Sequence, residues 1–154
     1  MPERLTVTPR QFFPCLVSPE PLEVVSLSQT AAPFAGFLWT GTGGGGRDAW
    51  SADDWAAQLG QADIANYVVY AAGEPVGCFE LEVMPGEGVR LNHLGVMPGY
   101  GDEGHAEAML TLAVERAFSF DGSLLAVITE DSNLLGLYGQ QGFRPDRTRN
   151  EESP

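Results

Sequence analysis

Residues 91–143 read LNHLGVMPGYGDEGHAEAMLTLAVERAFSFDGSLLAVITEDSNLLGLYGQQGF, and this stretch decides the fold. Its pattern predicts a strand, a glycine-bearing turn, a long helix, a second strand and a second helix. The long helix, predicted over 102–118, has Met109 and Leu112 at helical spacing and acidic residues in its first turn. The second strand, predicted over 124–129, is continuously apolar, as in a central strand that is covered on both faces.

The turn before the long helix contains small residues at Gly101, Gly104 and Ala106. A helix start leaves several backbone N–H groups without partners inside the helix, and small residues let a phosphate group approach them closely. The turn is therefore a candidate site for a phosphate or pyrophosphate. The same residues are also explained if they only allow the helix to pack tightly against its strand.

Other strands are indicated by β-branched and aromatic runs between glycine and proline turns. An antiparallel meander of three strands is predicted over 67–71, 76–83 and 89–96. Residues 4–8 predict an edge strand, and 22–27 predict a further strand. Together with the helices, these elements predict an α+β fold, with a mixed, mostly antiparallel sheet and helices on both faces.

Two helices are predicted between the N-terminal strands and the meander. One is short and covers 30–39, and Ser51 caps the other, with Asp54 three residues later in a variant of the capping box. This region holds three aromatic residues that either line an amine pocket through cation–π contacts or belong to the core. They are Trp39, Trp50 and Trp55.

The composition is strongly acidic, with 21 Asp and Glu residues against 8 Arg and no Lys, and a formal net charge of −13. Nucleic-acid binding is not expected, because it requires clustered cations. An acidic surface favours a cationic small molecule, although it serves solubility equally well. No apolar run is long enough to span a membrane, and the N-terminus lacks a secretory layout, so we expect a cytoplasmic protein.

The cysteines and histidines show no spacing typical of a metal site. Cys15 and Cys78 lie far apart in the sequence and are expected to be buried thiols in a reducing compartment. His93 and His105 add no paired ligand spacing. No metal is therefore expected.

The order of elements over 66–144 resembles the GNAT superfamily of acyl-CoA N-acyltransferases. The family's pyrophosphate motif reads Gln/Arg-x-x-Gly-x-Gly/Ala, and Gly104 and Ala106 match its second and third fixed positions, whereas Gly101 stands at the Gln/Arg position. The resemblance implies that acetyl-CoA is the acyl donor and that this turn holds its pyrophosphate. The turn residues are Gly101, Asp102, Glu103, Gly104, His105 and Ala106.

The resemblance also assigns roles to a strand and to the last helix. It implies that backbone groups of Leu94, Gly95 and Val96 contact the pantetheine arm and the thioester oxygen, and Gly95 fits a β-bulge there. Asn133 and Tyr138 keep the family's Asn…Tyr-x-x-x-Gly-Phe frame. The resemblance implies that Asn133 belongs to the cofactor site and that Tyr138 protonates the departing thiolate or contacts the cofactor sulfur. A tyrosine that only packs between helix and sheet is the structural alternative.

No residue stands out as the general base. The family position on the strand before the turn falls at Arg90 or Leu91, and neither side chain can serve. The nearest titratable alternatives are His93 on that strand and Glu80 or Glu82 on the neighbouring one. Each also has a structural explanation, as a hydrogen-bonded strand histidine or as a solvated strand face, and many family members use water chains instead.

Two functions follow as hypotheses for a single domain over 1–150 with a frayed tail over 151–154. The first is an acetyl-CoA-dependent N-acetyltransferase in which a small amine attacks the thioester directly, and the acidic composition favours a cationic amine. The second is a catalytically inactive GNAT-like binding or regulatory module, which is favoured by the missing Gln/Arg and by the carboxylates of Asp102 and Glu103. Family members are often dimers, so a homodimer is possible.

Overall fold

The structure, a computed structural model, describes residues 3–15, 17–100, 104–129 and 132–146, with the side chains of residues 132 and 133 left aside. Within these ranges it contains one sheet and four α-helices. The strands are β1 Glu3–Val7, β2 Leu22–Ser26, β3 Ile64–Ala71, β4 Glu74–Met84, β5 Gly88–Val96, β6 Leu125–Thr129 and β7 Arg144–Pro145. The helices are α1 Ala32–Gly41, α2 Ala52–Leu59, α3 His105–Phe120 and α4 Ser132–Gln140.

The strand order in the sheet is β2-β3-β4-β5-β6-β1-β7. Every pairing is antiparallel except that of β5 with β6, which are joined through α3 in a βαβ unit. The predicted α+β fold and its three-strand meander are confirmed. The prediction that residues 4–8 form an edge strand is wrong, because β1 lies between β6 and β7 and both of its edges are paired.

Alternation along the strands divides the interior into two faces. Tyr67 and Phe79 point into the large core beneath α3, whereas their neighbours Val68 and Cys78 pack against Leu38 of α1 on the opposite face. Successive strand side chains point to opposite faces, so helices on both sides are required to cover them. The candidate site described below lies mainly on the α1–α2 face.

The observed helix boundaries differ from the predicted ones at α1 and α3. A 3-10 turn over Gln29–Ala31 precedes α1, which has its proline in the first turn. Helix α3 begins at His105 because Gly104 is left-handed, with φ of 87°, and it runs on to Phe120. No helix in the described part of the chain has the length and the apolar character needed to cross a lipid bilayer.

Helix α4 ends in a Schellman motif, which accounts for much of the Tyr-x-x-x-Gly-Phe frame. The Phe143 N–H donates to the Tyr138 carbonyl at 3.2 Å, and the Gly142 N–H donates to the Gly139 carbonyl at 3.2 Å. Gly142 has φ of 99°, and the Tyr138 and Phe143 rings contact each other with centroids 5.2 Å apart. These are the two hydrogen bonds, the left-handed residue and the hydrophobic contact of that motif. The frame therefore has a structural purpose besides any chemical one.

Gly139 in α4 and Gly142 just after it provide a matched test of how the helix ends. Gly142→Ala places a methyl group against the Gln11 carbonyl oxygen and forces an alanine into a left-handed conformation. We expect it to lower the free energy of unfolding by roughly 2–4 kcal/mol in urea denaturation. Gly139→Ala meets no neighbouring atom and should instead stabilise the helix by about 0.5–1 kcal/mol. Equal effects of the two changes would contradict this assignment.

Candidate functional site

The sheet opens between β5 and β6. Their parallel pairing covers three residue pairs, from Val89 opposite Leu125 to Leu91 opposite Val127, although β5 continues to Val96. Beyond Leu91 no further residue pair joins the two strands in the described part of the chain, so this side of β5 lacks a ladder partner there. A strand that separates from its parallel neighbour leaves a cleft with free backbone donors and acceptors.

A β-bulge in β5 lies at Asn92 rather than at Gly95. Glu80 pairs with His93 and the next residue, Leu81, pairs with Leu91, so Asn92 is the extra residue. A bulge breaks the alternation of side chains, and both Asn92 and His93 consequently face the α1–α2 side. Asn92 donates to Glu80 there, and His93 contacts α1.

Gly95 has a different reason to lack a side chain. It pairs regularly with Cys78, and a Cβ atom at Gly95 would collide with Thr42, which follows α1. The glycine therefore lets the end of α1 approach the strand closely. Leu94 is buried in the core on the α3 face and Val96 packs against that core, so these residues present backbone rather than side chains to the cleft.

The start of α3 is more crowded than the sequence suggests. His105 is completely buried, and its ring bonds to the Tyr100 carbonyl at 3.3 Å and to the Glu20 carboxylate at 3.1 Å. A Cβ atom at Gly104 would lie 3.5 Å from Glu107 Oε2 and 3.8 Å from Pro19. Backbone N–H groups of the first helical turn therefore lie beside two carboxylates. The contact with residues 19–20 has no signal in the sequence.

Some of the predicted cofactor residues lie outside the described ranges. Gly101, Asp102 and Glu103 belong to this group, and the side chain of Asn133 is not described either. Tyr138 is described and is only 2% exposed, in the core on the α3 face. The predicted catalytic side chains thus fall into two places: His93 and Glu80 on the α1–α2 face, and Tyr138 on the other.

A cluster of aromatic rings encloses a guanidinium group on the α1–α2 face. The Cζ atom of Arg47 lies 3.7 Å from the ring centroid of Trp39, 4.4 Å from that of Trp50 and 5.1 Å from that of Trp55. We call these three rings the tryptophan cage. Trp55 also contacts each of the other two rings edge-on, at interplanar angles of 61° and 63°. The tryptophans therefore belong to a small core, and the cation that they enclose is the chain's own Arg47, so the amine pocket stays a prediction.

Glu80 is the carboxylate that binds the guanidinium group inside the cage. Arg47 donates to both carboxylate oxygens, at 2.7 and 2.8 Å, and Glu80 is 1% exposed. Asn92 donates to the same carboxylate at 2.7 Å, and Gln58 does so at 3.4 Å. Burial by itself raises the pKa of Glu80, but the hydrogen bonds from Arg47 and Asn92 and the charge of Arg47 lower it overall. Glu80 is therefore an anion held by donors.

His93 lies beside the cage and is held in its neutral form. Its ring centroid is 4.5 Å from that of Trp39, and its Nε2 atom is 2.7 Å from Thr42 Oγ1. Burial lowers the pKa of His93 to about 4, with the Glu80 charge opposing and the Arg47 charge reinforcing the shift. Because the Thr42 hydroxyl donates to the Leu38 carbonyl at 2.7 Å, we assign the proton to His93 Nε2, which leaves Nδ1 as an acceptor.

Arg47 is the functional residue that sequence reasoning missed. It follows the glycine run 41–46, which reads as a loop, and loop residues carry no periodicity that reveals their contacts. The signal in the sequence was that this arginine lies between Trp39 on one side and Trp50 and Trp55 on the other. Among the described residues, no three His, Cys, Asp or Glu side chains converge as a metal site requires.

Comparison with family models gives a match to the acetyltransferase (GNAT) family over residues 34–143. This chain belongs to the GNAT acetyltransferase family. The match spans α1 to the end of α4 and therefore includes the tryptophan cage, the β5–β6 opening and the start of α3. A comparison with curated protein sequences finds no significant match.

Solved structures of similar fold include several acetyltransferases. A GCN5-related N-acetyltransferase from Kribbella flavida has a TM-score of 0.69 at 15% identity, covering 94% of this chain and 54% of its own. The ribosomal-protein-S18-alanine N-acetyltransferase from Escherichia coli has a TM-score of 0.63 at 18% identity, covering 78% of this chain and 76% of its own. AAC(6')-Iy, in complex with the bisubstrate analog CoA-S-monomethyl-acetylneamine, has a TM-score of 0.63 at 20% identity, covering 81% of this chain and 92% of its own. The chain thus spans about half the length of the Kribbella protein.

Glu80 and Glu82 allow the buried ion pair to be tested against an exposed one. Glu80→Gln removes the charge partner of Arg47, whose side chain is 13% exposed, and should cost about 3 kcal/mol of unfolding free energy in urea. Glu82→Gln removes the partner of Arg90 in a pair with 26% and 39% exposure, and should cost less than about 1 kcal/mol. Similar losses for both variants would show that the cage does not depend on its carboxylate.

His93 predicts a specific dependence of stability on pH. The unfolded histidine gains a proton as pH falls through 6.5, whereas folded His93 gains one only near 4. The unfolded state therefore binds more protons in this window, and stability is lost as pH falls from 6.5 to 4. His93→Asn should reduce the slope of unfolding free energy against pH there by up to about 1.4 kcal/mol per pH unit. Parallel curves for the two proteins would contradict the assignment.

Proposed function

We propose that the protein is an acetyl-CoA-dependent N-acetyltransferase that transfers an acetyl group to a small amine by direct attack. The observation that carries this proposal is the separation of β5 from β6 after Leu91, beside the start of α3, in a chain of the GNAT acetyltransferase family. The opening exposes the backbone of one strand along a groove that leads from the helix start to His93. An extended thioester needs such a groove, and the family supplies the expectation of acetyl-CoA.

The described residues fit the cofactor in part. Backbone groups of Leu94 and Val96 line the opening, and the N–H groups of His105 and Ala106 lie in the first turn of α3, where a phosphate is stabilised. Glu20, close to the same turn, opposes an anion there. We therefore expect binding that is weaker than that of a turn lined by basic residues.

Acetyl-CoA supplies an activated acyl group in the form of a thioester. His93 is neutral above pH 5 and offers Nδ1 to a proton of the attacking amine, directly or through water. The new N–C bond forms as the C–S bond breaks, and Tyr138 gives its hydroxyl proton to the departing sulfur. His93 and Tyr138 lie on opposite faces of the sheet, so the groove between β5 and β6 must bring the reacting atoms between them.

An inactive GNAT-like binding module is the second candidate, and two contacts favour it. Arg47 fills the cage on the acceptor side of β5, and Glu20 bonds to His105 beneath the start of α3. Both contacts place the chain's own side chains where ligand groups would bind. The two candidates differ in whether an acyl-CoA still enters the groove.

Calorimetric titration with acetyl-CoA at low and moderate salt tests the cofactor part of the proposal. We expect a micromolar Kd that weakens as salt increases, because the bound group is an anion at a helix start. An absence of binding at millimolar acetyl-CoA would overturn the proposed activity and favour the binding module.

Tyr138→Phe tests the role of Tyr138 as the proton donor to the departing sulfur. Once an accepted amine is known, we expect kcat to fall by roughly 10²-fold while the Kd for acetyl-CoA is unchanged, because only the proton donor is lost. Tyr70→Phe, which removes a hydroxyl from β3 outside the groove, serves as the control and should leave both constants unchanged. Full kcat in Tyr138→Phe at every pH would exclude the acid role.

A further inference from the structure

The tryptophan cage and Glu80 together form a complete receptor for a guanidinium group. The three rings lie within 5.1 Å of the Arg47 Cζ atom, and the carboxylate receives two parallel N–H bonds of 2.7 and 2.8 Å. Planar stacking and a two-point carboxylate are the interactions that distinguish guanidinium from ammonium. These contacts are made to the guanidinium head, while the backbone of Arg47 is held separately by the Trp50 N–H, which donates to the Arg47 carbonyl at 3.0 Å.

The chain presents this head on a tether of glycines. Gly43 and Gly46 have φ of 82° and 81°, and a Cβ atom at Gly43, Gly45 or Gly46 would meet no atom within 4 Å. Gly44 and Gly45 are fixed to the cage, since a Cβ atom at Gly44 would collide with the Trp39 ring and the Gly45 carbonyl accepts the Trp39 indole N–H at 3.3 Å. Gly46, directly before Arg47, faces open space, so the Arg47 side chain can leave the cage while the loop keeps its contacts with α1.

The cage has an exit to solvent. A pocket of about 340 Å³ between α1 and α2 is lined by Arg47, Trp50 and Trp55, with Phe37 at its rim. Phe37 is 58% exposed and stacks on Phe34. A small cation can therefore approach the cage from the surface, and the formal charge of −13 favours its approach.

The cage also adjoins the groove. Glu80 is the register partner of His93, and Leu94 follows directly on β5. Neighbouring strands lie about 4.8 Å apart, so a group at Glu80 lies within one short alkyl chain of the β5 backbone that lines the groove.

We propose that the cage binds the guanidinium group of an amine acceptor and that Arg47 is an internal ligand which this group displaces. The inference rests on the proposed function for the reacting amine, which would lie in the groove, while the unreacting guanidinium lies in the cage. Arg47 lowers the apparent affinity for the acceptor by the fraction of time it occupies the cage. Removing Arg47 should therefore strengthen binding of a free guanidinium compound.

Tryptophan fluorescence tests this directly, because all three tryptophans of the chain belong to the cage. Butylguanidinium is titrated into the native protein and into Arg47→Ala, without acetyl-CoA, with neutral butylurea as the reference ligand. We expect saturable binding that is at least 10-fold tighter in Arg47→Ala, and no saturable response to butylurea. Adding Glu80→Gln to Arg47→Ala should abolish the gain.

Arg116→Ala is the matched control, since Arg116 also lies over an aromatic ring, that of Tyr67, at 5.0 Å but away from the cage. It should bind butylguanidinium as the native protein does. If Arg47→Ala does not fold alone, Arg47→Gln is used, and refolding of either variant by butylguanidinium supports the proposal.

Equal affinities of the native protein and the Arg47 variant for butylguanidinium would overturn the proposal. It would also be overturned if a folded Arg47 variant did not bind butylguanidinium. Variants that remain unfolded with butylguanidinium present would also overturn it and make Arg47 a structural residue. The outcome is independent of acetyl-CoA. Binding of butylguanidinium without binding of acetyl-CoA would refute the proposed acetyltransferase activity but not the guanidinium site. Binding of acetyl-CoA without binding of butylguanidinium would refute the guanidinium site alone.

Discussion

The burial of one negative charge organises the α1–α2 side of the molecule. Glu80 is inaccessible to water, and a buried carboxylate is tolerated only when cations and donors surround it. Arg47 neutralises this charge in an ion pair, and the tryptophan rings in turn cover the Arg47 guanidinium group. The bulge at Asn92 adds a donor from β5 and turns His93 toward the same face. The bond from Gln58 of α2 to Glu80 meets the same requirement. His93, by contrast, is neutral because it is buried, against the charge of Glu80.

The second constraint is the length of the β5–β6 ladder. Three pairs hold the parallel strands together, and the core beneath α3 is complete without further pairing. The remaining backbone of β5 therefore lies open between two faces that carry different chemistry. On one face lie the cage and His93, and on the other lies Tyr138. The proposed acyl transfer uses the opening as the passage between them.

Local patterns in the sequence predicted most of the fold. Alternation predicted the meander, the capping box of α2 was visible at Ser51, and Gly142 predicted the end of α4. Contacts between distant segments were not predictable in this way. Arg47 reaches Glu80 across 33 positions and Glu20 reaches His105 across 85, and neither loop has a periodicity that indicates its partner. The edge assignment of residues 4–8 failed for the same reason, since alternation gives a strand but not its neighbours.

A crystal structure of the protein with bound coenzyme A shows whether the groove and the cage form one site. We expect the pyrophosphate at the first turn of α3, the pantetheine arm along Leu94–Val96, and the sulfur within reach of the Tyr138 hydroxyl, at the end of the groove next to His93 and the cage. Coenzyme A bound at another surface, or a sulfur out of reach of Tyr138, would contradict this arrangement.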